Sequence, residues 1–263
     1  MDNYVSLYDY AKKLDIHKGD IVFTNSDSKI MLFDAMRNKA SRNLNLFIDG
    51  MIDAVGPDGT IIFPTYNWGY CSGKAFDYRN TESETGSIGS LALKRSEFKR
   101  TRHPIYSMAV YGKYQDELVS MNNTDSFGLD SPFAFLKNHN AINCIIDVSL
   151  KHCFTFVHFV EEQSGVVHHR FIKDFTGEYI DANGNSSIRT YSMFVRDLNM
   201  DVVTTIDPIE NDFISKEVEK IYKINNSDIK KIELGKAYDI LLDDIVNNDS
   251  GKVCVYKGQK KIY

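Results

Sequence analysis

The sequence has no hydrophobic run near the roughly 18 residues that cross a bilayer, so no membrane-spanning role is expected. Its N-terminus lacks the charged-then-apolar order of a secretory leader, and the expected compartment is the cytoplasm. Basic residues are in slight deficit: 31 Lys and Arg against 36 Asp and Glu leave a net charge of −5. Without a basic stripe there is no electrostatic footprint for nucleic acid. Cysteine is scarce, and Cys71, Cys144, Cys153 and Cys254 form no C-x-x-C pair. That spacing suggests neither a disulfide framework nor a zinc ribbon, so reduced thiols are expected. There is also no Walker loop, no G-x-S-x-G elbow and no H-E-x-x-H pair. P-loop hydrolysis, elbow-type serine hydrolysis and zincin chemistry lose their usual signatures, and no metal is expected.

What is present suits an α/β protein. At 43% hydrophobic over 263 residues the chain can bury a sizeable core. An amphipathic segment, Val5 to Leu14, reads as a helix, and Ile21 to Phe23 as a short buried strand. A polar loop is expected from Thr24 to Lys29. Leu44, Phe47, Ile48, Met51, Ile52 and Val55 recur at helical spacing until Gly56-Pro57-Asp58-Gly59 turns the chain. Strands are expected near 60–64, 106–111 and 142–148, and helices near 87–95, 114–121 and 154–163. Ser131-Pro132 opens another short helix. Residues 168–206 read as short strands broken by the hairpin signal Asp181-Ala182-Asn183-Gly184. Helices near 211–223 and 236–247 and a strand at 253–256 complete the chain. The expectation is one domain over residues 1–263, with a central mixed sheet flanked by helices and a C-terminal antiparallel addition.

Three constellations can carry chemistry. His158 is followed by Glu161 and Glu162, and residues three and four apart share a helix face. Either carboxylate can fix the imidazole tautomer and raise its basicity, which makes a general base near neutral pH. The same spacing suits a helix whose histidine packs at the core edge. In Arg102-His103-Pro104-Ile105-Tyr106-Ser107 the His-Pro step is extended, and His103 can bind substrate or serve as an ordinary loop histidine. Ser26, Asp27 and Ser28 follow the first strand, where backbone N–H groups can meet phosphates or simply form a capped turn. Tyr66, Trp68 and Tyr70 can wall a ligand site or pack on the core. His152, His168 and His169 lie near His158 in the sequence, so a metal-dependent hydrolase stays a rival.

Taken in order, these segments resemble the aminoglycoside 3-N-acetyltransferase family. The resemblance covers roughly residues 15–165. It includes Gly19-Asp20, the loop Ser26 to Ser28, Ala54 to Thr60, Phe63-Pro64-Thr65, Arg102-His103-Pro104 with Ser107, Ser131-Pro132, and Thr155 with His158 and Glu161. It implies an acyltransferase that takes an acetyl-type group from acetyl-CoA to an amine, by direct transfer. His158 and Glu161 would deprotonate the amine, with His103 in the same site. Ser26, Asp27, Ser28, Ser107 and Ser131 would lie along the CoA arm. The acceptor implied is a small-molecule amine, an aminoglycoside-like amino sugar. Arg170-Phe171-Ile172-Lys173 is more like a branch associated with surface-polysaccharide sugars, where Arg170 or Lys173 could meet a nucleotide phosphate. A non-catalytic descendant that binds CoA or a sugar is the remaining alternative.

Overall fold

The computed structural model describes residues 4–257. Its strands are β1 (Ile21–Ser26), β2 (Thr60–Pro64), β3 (Phe76–Asp77), β4 (Lys99–Arg100), β5 (Met108–Gly112), β6 (Ile142–Ile146), β7 (Arg170–Ile180), β8 (Ser186–Arg196), β9 (Val202–Thr204), β10 (Glu219–Ile224), β11 (Ser227–Glu233) and β12 (Cys254–Tyr256). Seven of them form one mixed sheet in the order β10-β11-β6-β1-β2-β5-β4. Its centre, β6-β1-β2, is parallel, and antiparallel strands extend both edges. A three-stranded sheet, β3-β7-β8, and the pair β12-β9 lie apart from it. The α/β class with a mixed central sheet and antiparallel additions is therefore as expected.

The central strands are apolar on both faces because helices cover both. Ile21 and Phe23 of β1 join one hydrophobic cluster, while Val22 joins the other. Ile62 and Ile145 fall on the first side, and Ile61, Phe63, Cys144 and Ile146 on the second. The helix Asn45–Val55 buries Phe47, Ile48 and Met51 in the second cluster, and the helix Phe156–Ser164 buries Phe156, Val157, Phe159 and Val160 in the first. No helix among the described residues is long and apolar enough to cross a membrane.

Three elements differ from the sequence reading. The polar stretch Thr24 to Ser26 is not loop but the end of β1, paired with Cys144, Ile145 and Ile146 of β6. A buried side-chain bond, Asn25 Nδ2 to Asn143 Oδ1 at 2.9 Å, makes polar residues acceptable there. Residues 168–206 fold into two 11-residue strands, β7 and β8, and one short strand, β9, rather than short strands alone. The helix expected at 211–223 stops at Ser215, and the chain turns into the antiparallel pair β10-β11. Val218, Ile221 and Ile224 recur every third residue and imitate a helical stripe. In the structure Ile221 faces out of an edge strand, 57% exposed. Lys220 and Lys223 on the same edge discourage pairing with another chain.

Candidate active site

The parallel strands end at Ser26, Pro64 and Ile146, and a cavity of about 230 Å³ opens where they end. Crevices beyond the carboxyl ends of parallel strands are the usual ligand sites of open α/β sheets. Thr24, Asn25 and Ser26 line it from β1, Pro64 from β2, and Val148 and Thr155 from the segments after β6. Tyr66 and Trp68 form an aromatic wall, and Thr85, Gly86 and Gly89 close a third side. Gly86 has a positive φ of 65°. A Cβ on Gly89 would lie 2.3 Å from the Pro64 carbonyl oxygen, so only glycine lets the short helix Ser87–Ala92 sit this close to β2. The Tyr66 hydroxyl is buried without a hydrogen-bond partner among the described residues.

His158 sits on the helix Phe156–Ser164, which begins beside the cavity at Thr155 and ends at Gly165 in a left-handed turn. One helical turn brings Glu161 under it, so Nδ1–H donates to Glu161 Oε2 at 2.7 Å. That bond leaves Nε2 as the unprotonated nitrogen of a neutral ring. The His158 side chain is 22% exposed, whereas that of Glu161 is fully buried. Burial lowers the His158 pKa first, and the Arg170 charge lowers it further, against the raising effect of Glu161. The ring is therefore neutral at pH 7, the form a base requires.

Glu161 is the hub. Its Oε2 also lies 2.9 Å from Arg170 Nε, an ion pair whose N–H is not aligned for a hydrogen bond. Arg170 is held by the Phe194 carbonyl and Thr204 Oγ1 at 3.2 and 3.1 Å. Glu161 Oε1 faces His169 Nε2 at 3.4 Å and Cys254 Sγ at 3.8 Å. Burial opposes ionisation of Glu161, but His158, His169 and Arg170 together outweigh it, and its pKa is lowered. Glu162 points elsewhere: burial and then the neighbouring Asp125 raise its pKa, so an acidic pair stands one helical turn from His158.

The remaining candidates are more dispersed. His103 is 1% exposed. Its Nδ1 accepts from the backbone N–H groups of Ile105 and Tyr106 at 3.3 and 3.2 Å. Its Nε2 is then the protonated nitrogen and donates to Ser126 Oγ at 3.3 Å. Burial pushes the His103 pKa down to about 3, so it stays neutral. A row of rings, Tyr106 and Phe127, leads from His103 to His158 with successive centroid distances of 6.3, 5.1 and 6.0 Å. Ser26 lines the cavity. Asp27 binds Lys29, and Ser28 shares a 2.7 Å bond with Ser87. Ser107 bonds the Thr65 carbonyl at 2.8 Å and receives Arg100 Nε at 3.1 Å. Ser131 caps the helix Pro132–Asn138 through Ala134 N at 3.3 Å. Of the aromatic trio, Tyr66 and Trp68 reach the cavity, while Tyr70 packs on Tyr191. The sequence reading missed the cavity wall Thr85-Gly86 and the partner Cys254 of Glu161, and it named His169 only as a histidine near His158. The glycines of Thr85-Gly86-Ser87-Ile88-Gly89 were the available signal for the wall. Cys254 had none, since only the fold joins it to Glu161.

Comparison with known proteins agrees with this fold. No curated protein matches the sequence significantly. The aminoglycoside acetyltransferase AAC(3)-Xa is 18% identical, with 93% of each chain covered and a TM-score of 0.73. The YokD protein from Bacillus subtilis is 19% identical over 94% of each chain, at a TM-score of 0.74. AAC-IIIb, solved as a binary complex with CoASH, is 14% identical, covering 94% of this chain and 98% of its own, at a TM-score of 0.75. At such identities the likeness establishes the fold. A family model described as aminoglycoside 3-N-acetyltransferase matches residues 33–243, most of the sequence. The chain belongs to the aminoglycoside 3-N-acetyltransferase family and is an acyltransferase.

Proposed function

We propose that this protein acts as one catalytic domain that transfers an acetyl group from acetyl-CoA directly to an amine of a cationic, aminoglycoside-like amino sugar. The observation that carries this reading is the buried pair of His158 Nδ1 and Glu161 Oε2 at 2.7 Å, on a helix that starts at the cavity. An ammonium is not a nucleophile. His158 Nε2 removes its proton as the nitrogen attacks the thioester, and Glu161 stabilises the imidazolium that forms. General-base help of this kind contributes about 10²- to 10⁴-fold in rate. Tyr66, whose buried hydroxyl stands beside Thr155 at the cavity, is the donor suited to the developing oxyanion. The pantetheine arm lies in the cavity along Ser26 and the Thr85-Gly86 turn. His103, Ser107 and Ser131 act by holding the surrounding backbone, since their polar atoms are engaged within the protein.

The Asp125–Glu162 pair favours a polycationic acceptor, because a bound ammonium relieves the repulsion between two neighbouring carboxyls. Among the structural neighbours, one AAC-VIa structure holds sisomicin and one AAC(3)-IVa structure holds apramycin. A panel of aminoglycosides, nucleotide-linked amino sugars and simple amines, assayed with acetyl-CoA by thiol release, tests the proposal. Aminoglycosides turning over fastest, with intersecting initial-velocity lines, is the expected result. CoA release before amine binding would refute direct transfer, and turnover confined to nucleotide-linked sugars would refute the acceptor.

A further inference from the structure

Glu161 Oε1, His169 Nε2 and Cys254 Sγ converge on one buried point, each within reach of the other two. His169 Nε2 lies 3.4 Å from Glu161 Oε1 and 3.4 Å from Cys254 Sγ, and Cys254 Sγ lies 3.8 Å from Glu161 Oε1. A charge-assisted N–H···O bond contracts to about 2.7–2.9 Å. Tetrahedral zinc, with bonds of about 2.3 Å to sulfur and about 2.0–2.2 Å to nitrogen and oxygen, holds its donors about 3.3–3.6 Å apart. Two sides of the observed triangle, both 3.4 Å, fall in that range, and the third, at 3.8 Å, is slightly longer. We propose that Glu161, His169 and Cys254 form a zinc site that ties the C-terminal strand to the helix bearing His158.

The donor chemistry selects the ion. One sulfur, one imidazole and one carboxylate are a zinc set, whereas calcium and magnesium want oxygen alone. The outer partners are in place. His169 Nδ1 faces the Tyr256 hydroxyl at 3.4 Å, which frees Nε2 as a ligand. The other carboxylate oxygen of Glu161 receives His158. Zinc, a thiolate and the Glu161 carboxylate sum to zero charge, the thiol proton leaving to solvent as the metal enters, and Arg170 beside Glu161 adds one positive charge. A cavity of about 260 Å³, lined by His168, His169, Asp249, Ser250 and Tyr256, borders the site at one ligand, His169. The consequence is mechanical. Among the described residues β12 pairs only with the three-residue β9, in a sheet of its own, so it gains from an anchor. Zinc on Oε1 would also fix the carboxylate that orients His158.

The test uses the full-length protein, dialysed with zinc or with cobalt, freed of excess metal, and analysed for metal content and absorption. One metal per chain is expected, with a thiolate-to-cobalt charge-transfer band in the near ultraviolet. Cys254→Ser should abolish the band, His169→Gln should lower metal content at least tenfold, and Cys71→Ser should change neither. A second arm needs no variant: chelator should lower the thermal midpoint of the wild-type protein, and zinc should restore it. Wild-type protein that retains no metal and gives no thiolate band overturns the site, as does a band that survives Cys254→Ser. Neither readout involves acetyl transfer. A loaded but inactive protein upholds the site against the proposed function, and an active protein that never takes up metal does the reverse.

Discussion

Replacing Glu161 with glutamine removes one charge from the centre of the proposed site while keeping its shape. The amide oxygen can still accept from His158 Nδ1, so orientation is partly kept and the electrostatic part is isolated. A hydrogen bond to a charged partner contributes about 1.5–3 kcal/mol, which corresponds to about a 10- to 100-fold loss in kcat/KM. The pH profile adds a second readout. Glu161 raises the His158 pKa, while burial and Arg170 lower it. Without the carboxylate only the lowering influences remain, so the acid limb of the rate profile should move to lower pH. Stability should change as well, because Arg170 loses its buried partner, at a cost of about 3–5 kcal/mol. The Glu161 pKa is lowered in the folded protein, so its stabilisation is present above the ordinary carboxylate range and lost as pH falls below it. The variant should therefore show a flatter acid denaturation profile. Thiol-release kinetics between pH 5.5 and 9 (an interval of about 1 pH unit or more on each side of neutrality suffices) and thermal melts would measure these effects. A folded variant with unchanged kcat/KM and an unmoved acid limb would refute the reasoning.

Glu162→Gln should raise KM for a cationic acceptor by about tenfold while changing kcat less, since it removes one carboxyl of the Asp125 pair; steady-state kinetics at fixed acetyl-CoA checks this. Tyr66→Phe should lower kcat by about 10²-fold with folding intact if its hydroxyl meets the oxyanion, as rapid-mixing or steady-state assays would show. Ser131→Ala should cost about 1 kcal/mol through loss of a helix cap and leave the KM for acetyl-CoA unchanged, as denaturant unfolding and kinetics would show. Burial and then the neighbouring Glu210 raise the pKa of Glu219. Stability should fall as pH rises from the ordinary carboxylate range towards that raised value, because the unfolded chain ionises first. Glu219→Gln should accordingly raise the thermal midpoint more at pH 8 than at pH 5 (about 1 unit below neutrality being enough to see the difference).

What the sequence made legible was local. The three-residue spacing of His158 and Glu161 placed them on one helix face, and Gly56 to Gly59 and Asp181 to Gly184 marked turns that exist. Spacing left Glu161 and Glu162 equivalent; the phase of the helix separates them, sending one to His158 and the other to Asp125. The hydroxyls of Ser107 and Ser131 read as ligand contacts, yet the fold spends them on Thr65 and on a helix cap. His169 and Arg170 follow Glu161 closely in the sequence, but Cys254 reaches it from β12, so only the fold brings the whole set together. Edge strand β10 hid for the opposite reason, since its apolar residues have a period of three although only two-residue alternation signals a strand.

The most direct test of the proposed chemistry is the turnover of His158→Ala with acetyl-CoA and an aminoglycoside, followed by thiol release. Loss of about 10²- to 10⁴-fold in kcat, with the KM for acetyl-CoA little changed and the thermal midpoint preserved, is the predicted result. Turnover within a few-fold of wild type in a folded protein would contradict it.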